Sequence, residues 1–199
     1  DAAYEEAGSF RDTVESNRGL FAPTLSLRLD HTTTITLFGE YASVTQTPDV
    51  GLPRQGNQVI AGLPSSRFLG EATTDRSQSD VRETRLLIEK DVGDWFLKAW
   101  LMKGSIENNE FFTRGAALQA DGRTLNRTII DSGFKSDDEM FQLEALGKLR
   151  LAGLSHRITV GMDAGTRKTD SIFNSAPAAS SPAAIATAAS RIIRPPSRS

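Results

Sequence analysis

The chain has 199 residues, a formal net charge of −2 and 38% hydrophobic residues. This length suits one domain with a sizeable core, and the near-neutral charge excludes the broad basic field of nucleic-acid binders, so no nucleic-acid partner is expected. The absence of cysteine excludes disulfides, thiolate metal sites and cysteine nucleophiles.

The first ten residues, "DAAYEEAGSF", lack the basic and apolar regions of a signal peptide. No apolar run along the chain approaches the roughly 18 residues of a transmembrane helix. We therefore expect a cytoplasmic protein or an interior piece of a longer one. The low hydrophobic content still permits a membrane barrel, because barrel strands present only half of their residues to lipid.

The first patterned segment is "LFAPTLSLRLDHTTTITLFGEYASV", residues 20 to 44, where apolar residues recur at every second position on both sides of a polar gap. The apolar set is Phe21, Pro23, Leu25, Leu27, Leu29, Ile35, Leu37, Gly39 and Tyr41. Arg28, Thr36 and Glu40 belong to the opposite set. A period of two predicts two strands with unlike faces, joined as a hairpin.

The middle of the chain predicts two more strands between long connections. Residues 47 to 79 are rich in proline and glycine and predict a long loop, which in a compact protein is usually functional or disordered. Strands follow at 81–92 and from Trp95 onward, joined at Gly93 and Asp94. Residues 105 to 136 are polar, and we expect two strands to continue through them and meet at Asp121 and Gly122.

The last patterned segments lie at 139–151 and 156–168. The first contains glutamate, leucine, alanine and lysine, which favour a helix, but its period of two and Gly147 favour a strand. From Ser175 to Ser199 the chain is dominated by alanine, serine and proline and shows no period. The sequence thus predicts one β-rich unit over residues 1–174 and an irregular tail over 175–199.

The connections alternate in length along the chain. Short ones are expected near 30–33, 93–94 and 152–155, and long ones near 9–18, 47–79 and 105–136. Amphipathic strands of about 9–11 residues with such connections are typical of an outer-membrane barrel. A soluble antiparallel sandwich also alternates, but repeated charge on one face favours the barrel. Five residues on the apolar face are predicted to contact lipid: Leu25, Leu37, Leu97, Leu143 and Val160.

Several segments, taken in order, resemble TonB-dependent ferric-siderophore receptors of the ferrichrome-receptor type. They are "GSFRDTVESNRGLFAPTLSLRLDHTTTITLFGEY", "GLPRQG", "LPSSRFLGE", "DWFLKAWLMKGS" and "LSHRITVGMDAGTRKTD". The resemblance covers roughly residues 1 to 174 and implies an all-β antiparallel transmembrane β-barrel segment, with about seven strands of a 22-stranded barrel.

The resemblance also implies a function and a place in the cell. The receptor would lie in the outer membrane of a Gram-negative bacterium, in contact with its lipid, with an N-terminal plug inside the barrel. It would bind a ferric siderophore at the outer mouth and import it with energy from the TonB complex, which contacts parts of the receptor that have no counterpart here.

The long loops are where ligand contacts are expected. Phe111 and Phe112 are adjacent aromatics in a polar stretch, and the resembling receptors use such aromatics to cradle the chelate. Arg54, Arg67 and Arg114 have the charge to attract an anionic ferric complex. Ordinary loop packing is the competing interpretation for all five residues.

Neither catalysis nor a resident metal is predicted. His31 and His156 lie at short turns without neighbouring ligands, no phosphate loop or nucleophile elbow occurs, and no cofactor is expected. The charged residues of the strands are interpreted as a solvated wall. They are Glu83, Arg85, Glu89, Gln142, Glu144, Lys148, Arg150, Arg157 and Asp163. A passive porin and a soluble all-β binding module remain the alternatives to a receptor.

Overall fold

The computed structural model describes residues 1–55, 57–60, 62–122 and 124–182 as one antiparallel sheet with a small separate hairpin. The bounds of the strands are Ala2–Gly8 (β1), Glu15–Phe21 (β2), Thr24–Arg28 (β3), Thr33–Gln46 (β4), Arg54–Gln55 (β5), Gln58–Val59 (β6), Arg76–Val92 (β7), Trp95–Leu118 (β8), Thr124–Leu151 (β9) and Leu154–Pro182 (β10). No helix occurs in these ranges, and thus none that is long and apolar enough to cross a membrane. The all-β, antiparallel prediction is confirmed.

From β4 onward, the strands of the main sheet lengthen along the chain. The strand order is β1-β2-β4-β7-β8-β9-β10, with β3 beside β4, and β5 and β6 form the hairpin. The segment for which a helix was the alternative is part of β9. As expected, β8 and β9 continue through the polar stretch and meet at a turn containing Asp121 and Gly122.

The strand register brings a continuous set of apolar residues from the long strands onto one face, which we call the apolar face. Side chains that pair across antiparallel strands share a face, so each row of pairs can be followed across the sheet. One such row contains Leu25, Leu37, Leu86, Leu101, Phe141 and Ala164. All five predicted lipid contacts lie on this face, and Leu25 and Val160 expose 70% and 60% of their surface.

The opposite face, the polar face, carries the predicted charged wall. One row contains Arg28, Thr34, Glu89, Lys98, Glu144 and Gly161, and the next contains Ser26, Thr36, Leu87, Trp100, Gln142 and Asp163. Only Leu69, Leu125 and Ile130 are buried hydrophobic residues in the described ranges. The sheet therefore leaves its apolar residues exposed instead of covering them in a core.

The apolar band of β9 has the height of a hydrocarbon layer. On the apolar face it runs from Phe141 through Leu143 and Leu149 to Leu151, which is ten residue steps. At about 3.4 Å per residue this is about 34 Å along the strand, or about 24 Å across a membrane for a strand tilted by about 45°. Glu139 is the next residue on this face, so the band ends sharply between Phe141 and Glu139.

The N-terminal region differs from the prediction in two ways. Residues 2 to 8 form a strand that the sequence did not indicate, so the expected connection near 9–18 is reduced to residues 9–14. The expected strand over 20–30 is divided into β2 and β3, because Pro23 has no backbone N–H to give to the ladder. The Pro23 carbonyl still accepts a hydrogen bond of 2.9 Å from the Gly39 N–H.

The expected tail boundary is also corrected. Residues 175–182 are the last part of β10 and continue its pairing with β9, with one register shift between Ala178 and Ser181. The long strand β9 offers them a row of backbone partners, which outweighs the absence of side-chain periodicity. Pro177 is tolerated because β10 has no second partner in the described ranges. The rest of the predicted tail, 183–199, lies outside the described residues.

The short connections are where the sequence predicted them. Residues 29–32 join β3 to β4, Gly93 and Asp94 join β7 to β8, and Ala152 and Gly153 join β9 to β10. Gly93 has a φ of 60° and Gly153 a φ of 80°, which glycine adopts without steric cost. Ala152 also has a positive φ of 52°, which is unfavourable for a residue with a Cβ.

Candidate ligand-binding mouth

All the long connections meet at one end of the sheet. Arg76, at the start of β7, pairs with Phe111 of β8, and β8 and β9 extend beyond that level. The 9–14 connection contacts the 47–75 loop there, where the Asp12 N–H donates to the Ser66 carbonyl over 2.8 Å. These connections therefore share one side of the sheet, and we call this end the mouth.

The two adjacent phenylalanines of β8 point to opposite faces. Phe111 pairs with Asp131 on the apolar-face parity, whereas Phe112 pairs with Ile130 on the polar-face parity. Successive residues of a strand alternate in this way, so the two rings cannot contact the same side of one ligand. Arg114 shares the parity of Phe112 and is exposed.

Two further aromatics that the sequence analysis did not single out join Phe112 on the polar face. Phe134 of β9 pairs with Ser171, and Phe173 of β10 pairs with Ser132. Phe134 and Phe173 are diagonal neighbours on adjacent strands, a spacing that long side chains bridge. Phe112 pairs with Ile130, four residues from Phe134, so it lies further along the same face. Phe173 exposes 69% of its surface. Phe134 stands between Gly133 and Lys135, and Phe173 between Ile172 and Asn174, so no alternating pattern marked them in the sequence.

Arg11 ties the 47–75 loop to the 9–14 connection. Its guanidinium donates to the carbonyls of Ser65 at 3.0 Å and Arg67 at 3.1 Å, and it forms an ion pair with Asp49. The Arg11 side chain is only 12% exposed. A charged group that is buried to this degree requires its partners, so the contacts fix one edge of the loop.

The other edge of the loop packs on the extension of β8 and β9. Glu71 forms an ion pair with Arg127, and Leu69 packs with Leu125. The Glu71 N–H donates to the Asp75 carboxylate over 2.9 Å. Burial raises the pKa of Asp75 above its ordinary value. Leu125 and Arg127 have apolar-face parity, so the loop covers that side of the strands.

The two predicted loop arginines are separated by the structure. Arg54 is exposed in β5, where it pairs with Val59, and its guanidinium faces solvent. Arg67 is half-buried, and its backbone takes part in the Arg11 contact and in a turn with Pro64. No contact in the described ranges joins either side chain to Phe112.

His31 lies at a short turn, as expected, whereas His156 is the third residue of β10 and pairs with Leu149. His31 follows Asp30, whose carboxylate accepts hydrogen bonds from the Thr32 hydroxyl and N–H, both at 2.7 Å. These bonds lower the pKa of Asp30 to about 2. His156 is exposed near the other short turn. Within the described ranges, no group of three or more histidine, aspartate or glutamate side chains is arranged to hold a metal ion.

Comparison with known proteins identifies the architecture. No family model matches the chain. The metal-pseudopaline receptor CntO from Pseudomonas aeruginosa is 27% identical over 164 residues, which is 81% of this chain and 23% of that protein. The chain thus spans about a quarter of the length of the curated relatives it matches.

Solved structures of outer-membrane receptors also resemble this chain, at lower sequence identity. FpvA from P. aeruginosa, bound to a pyoverdine–iron complex, aligns with a TM-score of 0.76 and 16% identity over 87% of this chain and 24% of that one. The siderophore receptor PiuA from Acinetobacter baumannii aligns with a TM-score of 0.73 and 19% identity over 85% and 26%. This chain has the barrel fold of the TonB-dependent outer-membrane receptors.

In a receptor barrel of this kind, the apolar face is the lipid-facing surface and the polar face is the inner wall. Arg85 is a central member of this wall, since it donates to Glu83 over 2.6 Å and stacks 5.5 Å from the centre of the Trp100 ring. Arg167 likewise donates to Asp138 at 2.6 and 3.2 Å. These paired charges are consistent with a solvated inner wall.

Proposed function

We propose that the protein containing this chain is an outer-membrane receptor that binds a metal–siderophore chelate at its mouth and imports it with energy from TonB. The observation that carries the proposal is the 27% identity to a metal-pseudopaline receptor over 81% of the chain. Support also comes from barrels of the same fold, among them a ferripyoverdine receptor with bound ferripyoverdine. The activity proposed for the protein is therefore transport and not catalysis.

The ligand surface that we propose is the open, polar-face side of the β8–β10 extension. Phe112, Phe134 and Phe173 supply aromatic faces for an organic chelate, and Arg114 supplies a positive charge for its anionic groups. Arg54 and Arg67 lie on the neighbouring loop and contribute to the attraction of anions. Phe111 lies on the other face and is left out of this surface.

The test uses the full-length protein in outer membranes of a strain that lacks its own copy. Iron-loaded pyoverdine and metal-loaded pseudopaline are the two probes, and uptake of labelled metal is measured with and without a functional TonB. We expect saturable uptake of at least one probe that disappears without TonB. Uptake that is unsaturable and independent of TonB would instead support a passive porin.

The site is tested with a matched pair of neighbours. Phe112→Ala together with Arg114→Gln should weaken binding at least tenfold, because central aromatic and arginine anchors often contribute about 2 kcal/mol each. Phe111→Ala removes an equal ring from the opposite face and should leave binding unchanged. Equal losses in both variants would place the ligand elsewhere without affecting the transport proposal. Saturable ligand binding by a monodisperse protein prepared without detergent would support the soluble alternative.

A further inference from the structure

Glu110 of β8 places a carboxylate among the three phenylalanines of the proposed ligand surface. It has the polar-face parity of Phe112, which follows two residues later on the same strand, and it pairs with Ser132 of β9. Phe134 is therefore a diagonal neighbour of Glu110 on β9. Phe173 of β10 also pairs with Ser132, so it lies in the same row one strand further on. The carboxylate thus stands between Phe112 and Phe134, with Phe173 beyond a serine.

A small side chain leaves room beside this carboxylate. The serine between Glu110 and Phe173 reaches much less far from the sheet than either of them, and the two strands that carry them are about 10 Å apart. Phe173 exposes 69% of its surface and Phe134 exposes 39%. A small ligand group can therefore enter between the carboxylate and the two rings.

The carboxylate is held in place but is not neutralised. The Ser77 hydroxyl donates a hydrogen bond of 3.1 Å to Oε1 of Glu110, and Ser77 is only 5% exposed. Within the part of the chain that the structure describes, no lysine or arginine forms an ion pair with Glu110. The basic residue in the next row down, Arg18, lies three strands away on β2. Glu110 therefore keeps its negative charge available to a ligand.

A carboxylate beside aromatic rings is suited to a cation. The face of an aromatic ring carries negative potential and attracts an ammonium group, and a carboxylate accepts strong hydrogen bonds from the same group. Arg114 shares the strand and the face of Glu110, four residues or about 14 Å away. The surface therefore presents a positive and a negative group to one ligand, at a spacing fixed by the strand.

We propose that Glu110, Phe134 and Phe173 form a subsite for a protonated amine of the chelate. The receptor would then select chelates that carry an ammonium group in addition to the anionic groups attracted by Arg114. The inference rests on the proposed function, since it requires that the chelate binds on this surface. It adds a specificity that aromatic contact and Arg114 do not supply, because Glu110 repels a chelate that has only negative charge.

The experiment uses the full-length protein purified in detergent and two iron chelates. The first is a linear trihydroxamate that ends in a primary amine, and the second is the same chelate with that amine acetylated. Isothermal titration calorimetry measures both affinities. We expect the wild type to bind the amine form about tenfold more tightly, because the carboxylate and the ring faces attract only the charged group. Glu110→Gln should make the two affinities nearly equal by weakening the amine form.

Glu107→Gln is the matched control. Glu107 lies on the same strand with the opposite parity, and it also accepts a hydrogen bond, of 3.0 Å from the Asn109 side-chain amide. This variant removes an equal charge from the other face and should keep the preference for the amine form. Gel mobility before and after heating verifies that both variants form intact barrels.

A preference for the amine form that is lost only in Glu110→Gln supports the subsite. The proposal is overturned if the wild type binds the two chelates equally, if it shows no binding of the amine form, or if the preference survives in Glu110→Gln. An equal loss of preference in both variants shows attraction by overall charge and also overturns it. The transport proposal fails on a different result, uptake of pyoverdine and pseudopaline that is unsaturable and independent of TonB, and the binding measurement on purified protein does not involve TonB.

Discussion

The apolar band and the mouth are built from the same strands, yet they are organised by different rules. In the band, the position of a residue along its strand determines its environment, as Leu143 and Gln142 show by occupying opposite faces. At the mouth, contacts distant in sequence determine the environment instead: Arg11 meets Ser65, and Glu71 meets Arg127. Substitutions in the two regions should therefore have different consequences, in size and in kind.

The largest expected effect is in the band. Leu143→Arg places a cation at the lipid face near the midplane, which costs about 2–4 kcal/mol, while Gln142→Arg adds one to the solvated inner wall. Assembly of the full-length protein is measured as the heat-modifiable fraction in outer membranes. We expect a strong loss for Leu143→Arg and little change for Gln142→Arg. Equal tolerance would contradict the register between β8, β9 and β10.

The next effect belongs to the mouth. Arg11→Gln leaves the carbonyls of Ser65 and Arg67 without their donor and Asp49 without its cation, which should raise the free energy of the closed loop by about 1–3 kcal/mol. Limited proteolysis within 47–75 should become at least fivefold faster while the barrel stays intact. Arg54→Gln, at an exposed loop position, is the control. Unchanged proteolysis in Arg11→Gln would show that the loop is held elsewhere.

A smaller effect should depend on pH. Because burial raises the pKa of Asp75, the folded loop holds the proton more tightly than the open loop does. The stabilising contribution is complete below the ordinary value of 3.8 and is lost as the pH rises through the raised pKa. Hydrogen exchange of loop amides, corrected for intrinsic rates, should show less protection at neutral pH than near the lower end of that window. Asp75→Asn should abolish the difference, and a slope that persists in this variant would assign it to another group.

The smallest expected effect is at the turn of Ala152 and Gly153, which joins β9 to β10 below the apolar band. Ala152 has a φ of 52°, which asparagine tolerates better than alanine, so Ala152→Asn should stabilise the barrel by about 0.5–1 kcal/mol. Gly153→Ala, at a φ of 80°, should destabilise it by about 1–2 kcal/mol. The midpoint of the heat-induced mobility change on gels reports both. Shifts of the same sign would show that turn conformation does not control stability here.

The amino-acid sequence was sufficient to predict the structure of the apolar band but not the structure of the mouth. The period of two predicted directly which faces Leu37 and Glu40 occupy. The strand register is strongly specified, because a shift of one residue would move every side chain of the strand to the opposite face. The same alternation places Phe111 and Phe112 on opposite faces only if β8 stays regular as far as Gly115, and the sequence alone did not show that regularity. The Arg11 anchor and the Asp75 environment join residues far apart in the chain, and no local pattern signals them.

The neighbour-to-neighbour strand order has a consequence for how the barrel forms. When β2 and β3 are taken as one interrupted strand beside β4 and the β5–β6 hairpin is set aside, each strand of the sheet pairs with the one that precedes it in the chain. Three of the connections between paired strands have four residues or fewer. Closing such short loops costs little chain entropy, so strands can be added one after another as hairpins. The growing sheet then always ends in a single strand that is ready for the next, and β10 has this position among the described residues.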